Sequence, residues 1–156
     1  MKPTVYIETS VISYLASRPS RDLIIAANQQ ITQDWWQLYR VDFDLFISQL
    51  VINEVSAGNE EAAKRRLNVV ENIPLLELTE QAASLAEELV NAHAIPAKVV
   101  EDALHIAIAA TNGMDFLITW NFKHIANAAM RSKIEYVCRV NGYEPPVICS
   151  PQELKE

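Results

Sequence analysis

The strongest constraint on this chain is an alternation. Short apolar runs rich in β-branched and aromatic residues are separated by longer segments with helical spacing. The runs fall at residues 4–7, 42–47, 75–78 and 115–119, with a last one at Val147, Ile148 and Cys149. Each has the length and composition of a buried strand. Between them, Leu23, Ile24, Ala27, Ile31, Trp35 and Leu38 recur at helical intervals, predicting a helix over 22–39. Further helices are predicted over 49–56, 59–72, 80–93 and 98–111, with one or two over 122–141 and a small one after Pro151. Residues 98–111 are apolar on most faces, as a central helix would be. In 59–72, Ala62, Ala63, Leu67 and Val70 are expected inward and Lys64, Arg65 and Arg66 outward. Thr9 and Ser10 can cap the helix after the first strand, and Thr79 the helix that it precedes. Strands alternating with helices call for a mostly parallel sheet covered on both faces, a three-layer α/β/α fold with four or five strands. No repeat, low-complexity stretch or linker interrupts it, so one domain over 1–156 is expected.

Function classes narrow by elimination. The 156 residues include 13 Lys and Arg against 20 Asp and Glu, a formal net charge of −7. That argues against a protein that coats phosphates generally, since such binding rests on clustered cations. It leaves a nuclease open, because bound metal neutralises a carboxylate cluster. With three glycines in all, the chain has neither a dinucleotide-binding nor a P-loop glycine motif. No GxSxG elbow occurs. Cys138 and Cys149 lack CxxC spacing and read as free thiols of a reducing compartment. No leader-like N-terminus and no apolar stretch near ~20 residues is seen, so a cytoplasmic, non-membrane protein is expected.

Isolated oxygen donors follow the apolar runs. Glu8 comes after Val5, Tyr6 and Ile7; Glu54 lies one short helix past the second run; Asp102 opens the central helix; Asn121 follows the fourth run. Ligands in open α/β sheets bind outside the carboxyl ends of strands, and a helix N-terminus favours a carboxylate. Converging carboxylates suit Mg²⁺ or Mn²⁺, which prefer oxygen. Without His/Cys ligand spacing, the sequence argues against zinc. In a chain with 20 acids, ordinary capping or solvated carboxylates are the competing reading of the same placement. Asp115 precedes its strand and is expected to face away from the rim. His105, one turn after Asp102, reads as a satisfied core histidine or as a partner of a site carboxylate. Arg18, Arg21, Lys98 and Lys123 are solvated charges or phosphate-steering cations, with Lys123 and His124 nearest the rim. Trp35 and Trp36 read as packing, or as a platform for bases.

Four segments together resemble the PIN-domain family, in particular the VapC-like toxins of toxin–antitoxin modules. They are Val5-Tyr6-Ile7-Glu8-Thr9-Ser10, Ser48-Gln49-Leu50-Val51-Ile52-Asn53-Glu54-Val55, Glu101-Asp102-Ala103-Leu104-His105-Ile106-Ala107-Ile108-Ala109 and Leu117-Ile118-Thr119-Trp120-Asn121-Phe122. The resemblance runs to about Ile148 and implies a metal-dependent, single-strand RNase fold. It also implies a homodimer and a small antitoxin partner. By position, Glu8, Glu54, Asp102 and Asn121 would be both the metal-binding and the catalytic quartet, with Thr9 and Thr119 as neighbouring hydroxyls. Two positions depart from the family: Glu8 stands where Asp is usual, and Asn121 is neutral where Asp is frequent. The expectation is a one-metal enzyme anchored on Glu8, Glu54 and Asp102. A catalytically weakened PIN-like domain that binds RNA or protein is the alternative, and a small-ligand α/β domain with incidental acids is a third reading.

Overall fold

In the computed structural model, which describes residues 1–155, the runs become five strands: β1 (Thr4–Ile7), β2 (Asp44–Ser48), β3 (Leu75–Leu76), β4 (Phe116–Ile118) and β5 (Val147–Cys149). They form one sheet in the order β3-β2-β1-β4-β5. Every neighbouring pair is parallel. Seven helices surround the sheet: α1 (Thr9–Ala16), α2 (Leu23–Leu38), α3 (Gln49–Val55), α4 (Glu60–Val70), α5 (Glu80–Asn91), α6 (Val100–Thr111) and α7 (Arg131–Val140). α1 packs with α2, α3 and α4, while α5 packs with α6 and α7. The result is the three-layer α/β/α fold that the alternation implies.

The centre of the sheet is its most buried part. Val5, Tyr6 and Ile7 of β1 and Leu117 and Ile118 of β4 are fully enclosed. A strand covered on both faces has no polar side to alternate, which is why these read as unbroken apolar runs. α6 is covered nearly all round, with Ala103 and every residue from His105 to Ala110 buried. Cys138 and Cys149 are free and buried, and burial pushes their thiols up to about 11 and about 12. Among the described residues, no helix is long and apolar enough to cross a membrane.

Several local expectations are corrected. Arg40–Asp42 forms a 3₁₀ turn, so β2 starts two residues later than predicted. β3 is limited to two residues, after which the chain turns toward the Thr79 cap, whose Oγ1 accepts from Ala82 N at 3.1 Å. Between Asn121 and Met130 there are turns in place of helix. Asn121 Oδ1 accepts from His124 N at 3.0 Å and Asn127 Oδ1 from Ala129 N at 2.9 Å, the local bonding by which asparagine competes with helix. The small helix expected after Pro151 is a single turn, where Glu153 accepts from Ser150 N at 2.7 Å. Glu156 lies outside the described residues.

Thr9 and Ser10 do not cap α1. Glu8 occupies the N-cap place, with no side-chain cap bond, and the two hydroxyls point elsewhere. In α4 the inward set shifts. Leu67 is exposed, whereas Arg65 and Arg66 are half-buried because their guanidiniums bind carbonyl oxygens of Ala16, Val55 and Ala57. α2 buries Trp35 as expected but flanks it with Gln29 and Thr32, and leaves Leu23 86% and Ile24 74% exposed. Gln29 holds the loop after α1 through Ser17 Oγ, Arg18 O and Ser20 N, which explains a buried amide.

Trp35 is the fully enclosed anchor of α2. It stacks on Phe43 at 5.9 Å between centroids and donates Nε1–H to Leu154 O at 2.7 Å. Trp35→Ala is expected to cost about 3–5 kcal/mol of stability, measured as a lowered urea midpoint. A loss under about 1 kcal/mol is what an exposed stacking platform would give.

Candidate metal centre

The parallel register places the site. Ile7 of β1 pairs with Ile118 of β4, so Glu8 and Thr119 leave the sheet side by side. Glu8 N donates to Ile118 O at 3.1 Å, which locks this exit. Glu8 is only 6% exposed. Its Oε1 accepts the hydroxyls of Thr119 at 2.6 Å and Ser10 at 2.5 Å. Ser10 in turn accepts Trp120 N at 2.8 Å. No Lys or Arg pairs with Glu8 among the described residues, so a buried carboxylate is held by hydroxyls alone.

Glu54 arrives from the last turn of α3. Its side chain is 31% exposed, and its Oε1 accepts from Thr9 Oγ1 and from His105 Nε2, the latter at 2.8 Å. The acid-bearing helix is set by Ser48 at the end of β2, whose Oγ caps it through Val51 N. Side-chain donor atoms of Glu8, Glu54 and His105 all lie within 4.8 Å of one another.

Behind this pair runs a buried chain of polar groups. Ser48 Oγ meets Tyr6 Oη at 2.7 Å, and Tyr6 Oη meets His105 Nδ1 at 2.7 Å. Burial drives the Tyr6 phenol far above its ordinary pKa, so it stays protonated. An ionised Glu54 has no proton to give, so His105 Nε2–H is the donor there. In a neutral ring, Nδ1 then accepts from Tyr6 O–H, and Tyr6 accepts from Ser48 O–H. Every partner is satisfied in the single direction Ser48 to Tyr6 to His105 to Glu54. Both ring nitrogens are thereby occupied, which makes His105 a support for Glu54 in this arrangement rather than a free ligand.

Asp102 and Asn121 form a second group. Asp102 sits in the first turn of α6, three residues before His105, and its Oδ2 lies 3.2 Å from His124 Nδ1. Asn121 Oδ1 accepts His124 N–H, while Asn121 N donates to Thr119 Oγ1 at 2.9 Å. The two groups are therefore linked through Thr119, which touches Glu8 on one side and the Asn121 turn on the other. Of the four residues expected to converge, Glu8 and Glu54 approach one another directly. Asp102 is paired with a histidine, and Asn121 holds the turn that delivers that histidine.

The sequence left His105 undecided, and its two readings prove compatible: it is a satisfied core histidine whose partner is a site carboxylate. His124 was visible only as a neighbour of the rim. Its signal is the spacing of three from Asn121, which suits a side chain that closes a turn on the following backbone. Asp115 faces away as expected, accepting from Thr4 N at 2.9 Å at the amino end of β1.

Two carboxylates this close, with no Lys or Arg paired to either among the described residues, repel unless one protonates or a cation binds. Glu54 resists protonation. Burial alone would raise its pKa, but the His105 hydrogen bond, the His105 charge whenever that ring carries its second proton, and the Thr9 hydroxyl bring it below the usual carboxylate range. The donor set thus fits an oxygen-preferring divalent ion, with each Glu offering an Oε2 that takes no hydrogen bond from a described residue.

The family model for the PIN domain matches residues 5–128, most of the chain and all four segments that carry Glu8, Glu54, Asp102 and Asn121. The chain belongs to the PIN domain family. PIN domains are generally metal-dependent nucleases, and the Glu8–Glu54 cluster lies within the matched span. A comparison with curated proteins finds no match. Among solved structures, the chain is similar to the crystal structure of VapBC2 from Rickettsia felis bound to a DNA fragment from their promoter. The TM-score is 0.57 at 17% identity, covering 80% of this chain and 94% of that one. At that identity the likeness speaks for the PIN fold.

His105→Leu is expected to raise the Glu54 pKa, read by carboxyl-carbon NMR titration. A lowered acid pKa contributes stability above its unfolded value, about 4.3, and that contribution is lost as pH falls through the folded value. The stability gap between parent and variant should therefore narrow on acidification through this window. A gap that stays constant down to the lowest pH at which the protein folds would rule out the His105–Glu54 linkage.

Proposed function

We propose that this PIN domain is a metal-dependent endoribonuclease that hydrolyses phosphodiester bonds of single-stranded RNA, and that it is the toxin of a two-protein toxin–antitoxin module. The observation that carries the reading is the approach of Glu8 and Glu54 at the carboxyl edge of the sheet with no Lys or Arg among the described residues paired to either. Glu8, Glu54 and Asp102 would hold Mg²⁺ or Mn²⁺. Asn121 is the subordinate fourth member, since its Oδ1 already accepts the His124 N–H. A bound divalent ion supplies charge stabilisation at the phosphoryl oxygens and a more acidic water.

The chain's own residues do the positioning. Thr119 and Ser10 fix one oxygen of Glu8, and the other takes no hydrogen bond from a described residue. His105 keeps Glu54 ionised and aimed. Asp102 has its His124 partner in place of a second neighbouring acid. With Asn121 neutral, the rim carries one negative charge fewer than a four-acid site, which favours a single tight ion. The same observation supports the alternative, a weakened PIN-like domain that binds RNA or a protein partner.

The similar Rickettsia felis structure is of a VapBC assembly on promoter DNA, and this supports a cognate antitoxin protein as partner here. A cytoplasmic location accords with two free buried thiols. A homodimer is the expected oligomer. Leu23 and Ile24, exposed at the start of α2, are the apolar side chains that it would cover.

Asp102→Ala is expected to abolish Mn²⁺-dependent cleavage of a labelled RNA while leaving the circular dichroism spectrum unchanged, and chelation should silence the parent. Cleavage by the variant at the parental rate would remove Asp102 from the site, and two tight Mn²⁺ sites by calorimetry would overturn the one-ion reading. Separately, Leu23→Asp combined with Ile24→Asp should convert a dimer to monomer in light scattering. A dimer unchanged by the pair places its interface elsewhere.

A further inference from the structure

We infer that the cleft between the end of α1 and the outer face of α4 binds the phosphate backbone of the RNA strand engaged at the carboxylates. The inference rests on the nuclease reading above and adds to it where the substrate runs. In a chain of net charge −7, four of the 13 basic residues gather here. Arg18, Lys64, Arg65 and Arg66 line two adjoining hollows of about 180 and 340 Å³ that share Arg18 and Arg65. Glu61 is the one acid on their walls. None of the four cations forms an ion pair among the described residues, where the pairs that do form involve His105, His124 and Arg139. Gathered like charges repel, and an anionic ligand relieves that repulsion.

Two of the four are held in place. Arg65 uses only Nε, on Ala16 O at 3.2 Å, which leaves both terminal nitrogens of its fork without a partner among the described residues. Arg66 uses Nε on Val55 O at 2.9 Å and Nη2 on Ala57 O at 2.7 Å, leaving Nη1. A guanidinium pinned by its inner edge loses little further freedom when its outer edge meets a phosphate. Arg18 and Lys64 are exposed and free to follow the ligand. The two hollows also present Ser13, Ser17 and Asn68, and their only apolar residues are Ala16 and Ala62. An acidic peptide segment would want pockets for its side chains, which two alanines do not make; a sugar–phosphate backbone needs only the donors.

The cleft is joined to the carboxylates. α1 begins with Thr9, the hydroxyl on Glu54, and ends at Ala16, the carbonyl that holds Arg65. Eight residues of helix span about 12 Å. Arg66 grips Val55, the residue directly after Glu54. A strand with one phosphate at the carboxylates would therefore reach the cleft within a few nucleotides.

The test is fluorescence anisotropy with a labelled single-stranded oligouridylate in EDTA, comparing the parent, Arg18→Glu with Lys64→Glu, and a charge-matched control, Lys2→Glu with Lys133→Glu. The cleft variant should bind at least about tenfold more weakly, with a log–log salt slope shallower by about 1.4 for two lost phosphate contacts. The control should shift far less, and calorimetric Mn²⁺ affinity should match the parent in both variants. Equal losses in cleft variant and control, or none in either, overturn the cleft. So does a parent that ignores RNA but binds polyglutamate through these residues, which would assign the surface to an acidic protein segment. Binding through the cleft without Mn²⁺-dependent cleavage by the parent would sink the nuclease reading and leave the cleft standing. Cleavage by the parent with the cleft variant unaffected would do the reverse.

Discussion

The arrangement depends on one buried carboxylate. Glu8 follows the central strand of the sheet, where its neighbours on both sides are enclosed, yet it has no cation partner among the described residues. A charge so placed is costly unless donors surround it. Here they are Ser10 from its own helix and Thr119 from the adjacent strand end. Two hydroxyls satisfy one oxygen and leave the other without a hydrogen bond from a described residue, which distinguishes a site from a structural salt bridge. The register with β4 makes this possible, because pairing Ile7 with Ile118 sets Thr119 beside Glu8.

Histidine appears twice in the same relation. His105 supports Glu54 from within the protein, and His124 supports Asp102 from the turn after β4. The two acids come from different elements, but the two side chains of α6, Asp102 and His105, lie one turn apart and knit the halves together. Between them Thr119 contacts both sides. Changes at any of these residues should propagate along the network, so single substitutions here are not additive in general.

Much of this was legible in the sequence, for identifiable reasons. Buried parallel strands are continuous apolar runs, so β1 and β4 stood out, and Glu8 and Asn121 stood out as the polar residues that end them. α6 announced itself by being apolar on most faces. What escaped was settled by contacts between distant residues. Arg65 and Arg66 look like solvent-facing charges until Ala16 and Val55 present carbonyls to them. Thr9 and Ser10 look like caps until Glu54 and Glu8 compete for their hydroxyls. Gln29 looks exposed until the loop at Ser17–Ser20 folds against it. Asn121 reads as a ligand by position, but its carbonyl oxygen is closer to a local backbone donor than any pattern could reveal. His105 was undecidable because its two descriptions are both correct.

The strand order has a consequence for synthesis. β1 becomes the middle of the sheet, and one of its two lateral neighbours, β4, is made more than a hundred residues later. The hydroxyl of Thr119 that holds Glu8 is separated from it by 111 positions. A growing chain thus carries Glu8 before the strand whose end holds it. The Glu8 carboxylate therefore takes its final setting only after β4 and the Thr119 hydroxyl have been made.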